Sequence, residues 1–160
     1  MLLTLLAAFA GDDPTVTLTD DGVFISSFIT HRPAEHVRPL VGDPVWVAKT
    51  DDAGTVVEMH APDGDCVVAT NTTPSSIKTV HYKIRYCETP VGWTGTLLDS
   101  NAMSTYDLSW NVTESAAGTK VEYRLSFTSK LMVPRFIINK LTKDHVSHLM
   151  GQLQRELSAP

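Results

Sequence analysis

The chain has 160 residues, 42 % hydrophobic and 19 % charged, which suits one globular domain with a sizeable core and excludes a disordered chain. Its formal charge is −5 and it has no run of Lys or Arg, so nucleic acid is not an expected partner and no polybasic membrane patch stands out. No apolar run approaches the roughly 20 residues of a spanning helix, so no stable membrane span is expected.

The chain opens on "MLLTLLAAFA", which ends in the small-x-small order Ala8-Phe9-Ala10. Residues 1–12 therefore read as a signal peptide or an apolar N-terminal segment, and residues 13–160 as a single domain. That reading leans toward an exported protein, periplasmic or secreted, with a cytoplasmic one as the alternative. "GVFISSFIT" (residues 22–30) is rich in β-formers, and "TVTLT" extends it before the Asp20-Asp21-Gly22 turn. "RPAEHVRPLVGDP" holds a short helix with Pro33 in its first turn, limited by Pro39 and ended by Gly42-Asp43-Pro44.

From Val45 the period becomes two. "VWVAKT", "TVVEMH", "DCVVAT", "TVHYKIRYC", "WTGTLLDS", "MSTYDLSWNV" and "TKVEYRLSFTS" follow one another across turns such as "DDAG" and "APDG". They predict an antiparallel meander of about seven strands. Alternation sorts the faces: Val80, Tyr82, Ile84 and Tyr86 oppose His81, Lys83 and Arg85. Tyr106, Leu108, Trp110 and Val112 oppose Asp107, Ser109 and Asn111, while Val121, Tyr123, Leu125 and Phe127 oppose Glu122, Arg124 and Ser126. One aromatic-rich face needs a cover.

"LMVPRFIINKLTKDHVSHLMGQLQREL" (residues 131–157) predicts that cover, a long helix with Pro134 in its first turn. At 100° per residue, Lys140, Lys143, Asp144, Ser147, Gly151, Gln154 and Arg155 face water. Val146, Leu149, Met150, Leu153 and Leu157 face the sheet, with Leu141, His145, His148 and Gln152 along one flank.

Little here speaks for metal or cofactor chemistry. Cys66 and Cys87 are far apart with no CxxC, and His145 and His148 lack a third ligand at matching spacing. Neither a Gly-rich phosphate loop nor a Gly-x-Ser-x-Gly elbow occurs. No cofactor is called for, and His148 is the weak candidate for a general base. Cys66 and Cys87 both fall on the outer face. A tight turn at Pro74-Ser75 sets Cys66 opposite Lys83, whereas a loop from Thr72 to Thr79 sets the two cysteines opposite each other.

The second half, "VHYKIRYCET", "MSTYDLSWNV", "GTKVEYRLSFTSKLMVPRFIINKL" and the tail, resembles the START-like (SRPBCC) superfamily, which includes Bet v 1-like and polyketide cyclase/dehydrase relatives. The stretch from Pro134 to Asn139 is particularly similar to START domains. The resemblance implies an α+β helix-grip fold, a curved antiparallel sheet wrapped around one long C-terminal helix, with an apolar cavity between them. Its expected lining is Tyr82, Ile84, Tyr106, Leu108, Trp110, Tyr123, Phe127, Ile138, Leu141 and His148. The implied partner is a hydrophobic small molecule or lipid. The alternatives are a cyclase/dehydratase-type enzyme using His148 with a pocket Tyr, or a filled-core domain acting through a protein partner.

Overall fold

The computed structural model describes residues 13–160, so the signal or apolar-segment reading of residues 1–12 falls outside the described residues. Strong alternation in the strands yields one eight-stranded antiparallel sheet in the order β1-β2-β8-β7-β6-β5-β4-β3. The strands are β1 (Thr17–Leu18), β2 (Phe24–Thr30), β3 (Val56–Met59), β4 (Val67–Thr73), β5 (Val80–Thr89), β6 (Gly92–Ser100), β7 (Met103–Ser115) and β8 (Gly118–Ser129). The chain returns from β2 to β8, so the N-terminal strands extend the meander at the β8 edge. Register shifts at Lys83/Ile84 and at Met103/Thr105 add local twist and bend the sheet near Tyr82 and Tyr106.

Between β2 and β3 lie two helices, α1 (Ala34–Val41) and α2 (Pro44–Asp51). Two expectations are corrected here. Pro39 sits inside α1 and does not end it. "VWVAKT" is helical, forming most of α2. Gly42, Asp43 and Pro44 do end α1, with the Asp43 N–H donating to the Leu40 carbonyl at 3.1 Å. Asp43 and Pro44 also open the next helix, with Asp43 Oδ1 accepting from the backbone N–H of Val45 and Trp46 at 3.0 and 3.3 Å and Pro44 in the first turn. That cap outweighs the β-propensity of Val45, Trp46 and Val47. Helix α1 is tied to the sheet by Arg38, whose guanidinium donates to the Val112 carbonyl, and by the Trp93 indole, which donates to the Arg38 carbonyl at 2.9 Å. Gly42 is obligatory beside it, because a Cβ there would overlap the Trp93 ring.

The closing helix α3 (Arg135–Ser158) is 24 residues long, or about 36 Å. Val146, Leu149, Met150, Leu153 and Leu157 are all buried in the core, where α3 packs on β2 and α2, as the 3.6-residue period requires. Its C-terminal end is pinned: Thr30 Oγ1 and Arg32 Nε both donate to the Leu157 carbonyl at 3.0 Å, satisfying an acceptor that the helix itself leaves open. Gly151 corrects the helix-face reading. It is buried because Asp13 lies over it, with Arg155 donating to Asp13 at 2.8 Å and Ser147 to the Pro14 carbonyl at 3.0 Å.

Cys66 and Cys87 form a disulfide. Residues 74–79 make the longer loop, Thr73 pairs with Val80, and Val67 pairs with Tyr86, which places the two cysteines opposite each other with Cα atoms 4.5 Å apart.

Candidate ligand-binding site

The first three turns of α3 differ from the rest: none of the residues 135–145 is buried. Their approach explains it. After β8 the backbone N–H of Lys130 donates to the Ala102 carbonyl and its ammonium to the Ser100 carbonyl, holding the chain at the sheet's rim. The helix then starts at Pro134, whose extended backbone (ψ 136°) is the ordinary conformation of a helix N-cap, and Arg135, Ile138 and Asn139 face β8 across a cavity.

Beneath this raised half, four aromatic rings cross the sheet. The rings of Tyr82 and Tyr106 lie 5.4 Å apart, Tyr106 stands opposite Phe127 in the β7–β8 register, and Phe127 stacks on Phe24 at 6.1 Å. Tyr82, Tyr106 and Phe127 are only half-buried, whereas Ile84, Leu108, Trp110 and Leu125 further along the same strands are buried. The rings gather where the helix stands off.

A cavity of about 560 Å³ opens at the Phe24–Phe127 end of this row. Phe24, Phe127, Leu131, Val133 and Ile138 form its apolar walls, with Arg135 and Asn139 on the helix side and Asp20 and Asp21 on the turn between β1 and β2. It lies where β2 has ended and β8 runs on through Ser126 to Ser129 without a partner on that edge. A second hollow of about 470 Å³ separates α2 from α3, but its lining, including Lys49, Asp52, Arg155 and Glu156, is mostly charged.

Behind Phe127 the interior is phenolic. Asn71 donates to the Tyr86 hydroxyl at 3.0 Å, and Thr73 Oγ1 meets the Tyr82 hydroxyl at 3.4 Å. Burial pushes all four phenols above the usual tyrosine range, so they remain neutral hydrogen-bonding groups at physiological pH. Three buried polar atoms have no hydrogen-bond partner among the described residues: Ser26 Oγ, opposite Tyr123 in the β2–β8 register, Asp51 Oδ1, and Arg85 Nε, which lies 2.9 Å from the Asp63 carboxylate as an ion pair. Burial raises the Asp51 carboxyl above its usual range, against the opposing influence of His145 and His148. Asp51 is also the last residue of α2, where the helix dipole disfavours a negative charge.

The residues nominated from sequence divide into three groups. Phe127 and Ile138 line the cavity, and Tyr82, Tyr106 and Tyr123 gather behind it. Ile84, Leu108 and Trp110 are packed core: Ile84 and Leu108 meet across Gly95, and Trp110 lies 4.5 Å from the Tyr123 ring. Leu141 is 37 % exposed and lines neither of the two hollows described above. His148 is half-buried, and its Nε2 is 2.9 Å from the Asp51 carbonyl, clamping α3 to the end of α2; none of the four tyrosines is among its hydrogen-bond partners. His145 is exposed.

Asn71, Thr73, Ser26 and Asp51 were not anticipated. The alternation of β4 held a signal: with Val67 and Ala69 facing inward, Asn71 and Thr73 must follow them, and polar side chains at inward positions need interior partners. Asp51 carried no such signal, because its segment read as strand and turn.

No protein-family model and no curated protein matches the sequence. Solved structures do match in shape. A START superfamily protein from Mycobacterium smegmatis is 13 % identical, with a TM-score of 0.72 over 84 % of this chain and 96 % of that one. The Zhui aromatase/cyclase from Streptomyces sp. R1128 is 12 % identical, with a TM-score of 0.72 over 84 % and 92 % of the two chains. Major latex-like protein 151 from Panax ginseng is 10 % identical, with a TM-score of 0.64 over 87 % and 98 %. At these identities the likeness is one of fold, and the fold is START-like.

Proposed function

We propose that this START-like protein binds and carries a hydrophobic small molecule or lipid between its curved sheet and the first half of α3, without altering it chemically. One observation carries the reading: the first three turns of α3 bury no side chain, while half-buried aromatic rings and a 560 Å³ cavity lie beneath them. That volume is within the range of small-molecule sites. A helix placed only to close a core would bring its apolar residues down onto those rings. The polar residues of the cavity itself, Arg135 and Asn139 on the helix and Asp20 and Asp21 on the turn, suit a guest with a few polar groups on an apolar body.

The fold likeness to proteins described as START superfamily members and as an aromatase/cyclase supports an interior guest. The enzyme alternative has less behind it, because His148 Nε2 engages a backbone carbonyl and no phenol. The Cys66–Cys87 bond supports an oxidising, exported setting. Native mass spectrometry of gently purified protein, with organic extraction of whatever it holds, tests the proposal. A reproducible co-purifying apolar molecule is expected; protein that stays empty and takes up no added fatty acid, sterol or aromatic polyketide contradicts it.

A further inference from the structure

At the cavity, the edge of β8 carries a ladder position that the fold leaves open. The two-residue turn at Ala116-Ala117 makes Ser115 and Gly118 a pair that exchanges both backbone hydrogen bonds. From there the pairs alternate, so even-numbered residues of β8 bond toward β7 and odd-numbered ones toward β2. Val121, Tyr123 and Leu125 accordingly pair with Phe28, Ser26 and Phe24. Phe127 is next in that row, and its N–H and C=O point past the end of β2.

Continued in the same register, β2 would set Gly22 opposite Phe127. It does not continue. Gly22 has a left-handed backbone (φ 83°), its N–H donates to the Thr19 carbonyl at 3.0 Å, and the Thr19 N–H donates to the Val23 carbonyl at 2.9 Å. The chain is thereby drawn into the turn toward β1. Neither backbone group of Phe127 meets a hydrogen-bond partner among the described residues. A Cβ at Gly22 would meet no atom within 4 Å, so that side is open. Gly22 and Phe127 both line the 560 Å³ cavity.

We propose that the guest carries an N-acylated α-amino acid unit, which takes the vacant place of Gly22 beside β8. Its N–H donates to the Phe127 carbonyl and its C=O accepts from the Phe127 N–H. A lone trans amide cannot make both bonds, because its N–H and C=O point in opposite directions. An N–H and a C=O one carbon apart point the same way, as in any strand residue. Phe24, Leu131, Val133 and Ile138 wall this position, so apolar arms flank the unit. The inference rests on the reading that the cavity holds a guest, and it names the polar group of that guest.

Calorimetric titration of the full chain, freed of co-purifying molecules, tests it. The probes are N-octanoylglycine butylamide and the analogue with an ester oxygen in place of the glycine N–H. The first should bind about tenfold more tightly, because the analogue aims an acceptor at the Phe127 carbonyl. In the empty protein the Phe127 amide should exchange about tenfold or more faster than those of Ser126 and Thr128, whose bonds run to β7, and the first probe should slow it. Capped trivaline carries the same unit, and the tighter of the two assigns it to a peptide or to an acylated amino acid. Equal binding of the amide and its oxygen analogue, or a Phe127 amide as slow as its neighbours, overturns the proposal and leaves the carrier reading standing. No uptake of any of the three also overturns it; the carrier reading falls too only if fatty acid, sterol and polyketide are refused as well.

Discussion

The two parts of α3 have similar apolar content and very different surroundings. Residues 135–145 carry Phe136, Ile137, Ile138 and Leu141, none of them buried; residues 146–158 carry Val146, Leu149, Met150, Leu153 and Leu157, all of them buried. The second part is held by α2, β2 and the Arg32 and Thr30 bonds to its terminal carbonyl. The first part has a start at Pro134 with no side-chain cap, and a cavity beside Arg135, Ile138 and Asn139. One helix thus provides an anchor at one end and one wall of an opening at the other. The difference comes from the layer beneath the helix, since the helix period is the same throughout.

The sharpest way to break this contrast is a pair of alanine variants. Leu153→Ala should cost about 2–5 kcal/mol in denaturant unfolding, as buried leucines do, whereas Ile138→Ala should cost less than about 1 kcal/mol because its site is already open. Equal losses would mean that both ends are packed alike. Opening the Cys66–Cys87 bond by the double serine variant should cost about 3 kcal/mol for a loop of this length, read as a lower unfolding midpoint that reductant no longer changes. Arg32→Ala should remove about 1.5–3 kcal/mol and release the last turn of α3, visible as faster amide exchange there. Unaltered exchange would show that the anchor lies elsewhere.

Asp51 gives a smaller effect with a definite sign. Its folded-state pKa is raised above the unfolded 3.8, so the native state holds the proton more tightly. Its contribution to stability is therefore best below pH 3.8 and declines as pH rises through the raised value. Asp51→Asn should raise the thermal midpoint at neutral pH, and the gain should shrink to nothing toward pH 3.8. A lower midpoint at neutral pH would show that the carboxylate is compensated in place.

Period-two alternation carried most of the sheet: the inward rows of β5, β7 and β8 and the buried row of α3 were legible because each face repeats over several residues. What escaped was local or long-range. Asp43-Pro44 is a helix start as well as a helix end in the same letters, and only the Asp43 cap bonds show the start. Gly151 looked like a water-side residue until the chain at Asp13 was seen to cross it. In the candidate site, the aromatic ring row was readable from alternation. The split between lining and core residues was not, because Tyr106 and Leu108 share a face and differ only in which part of α3 passes above.

Carriage of a guest requires room under the first turns of α3. Titration of an apolar fluorescent probe against the parent and Ile138→Trp, which fills the cavity from the helix side, tests it most directly. Saturable, one-to-one uptake by the parent is expected, with a loss of about tenfold or more in the variant at an unchanged thermal midpoint. Equal uptake by both proteins would place the guest elsewhere and contradict it.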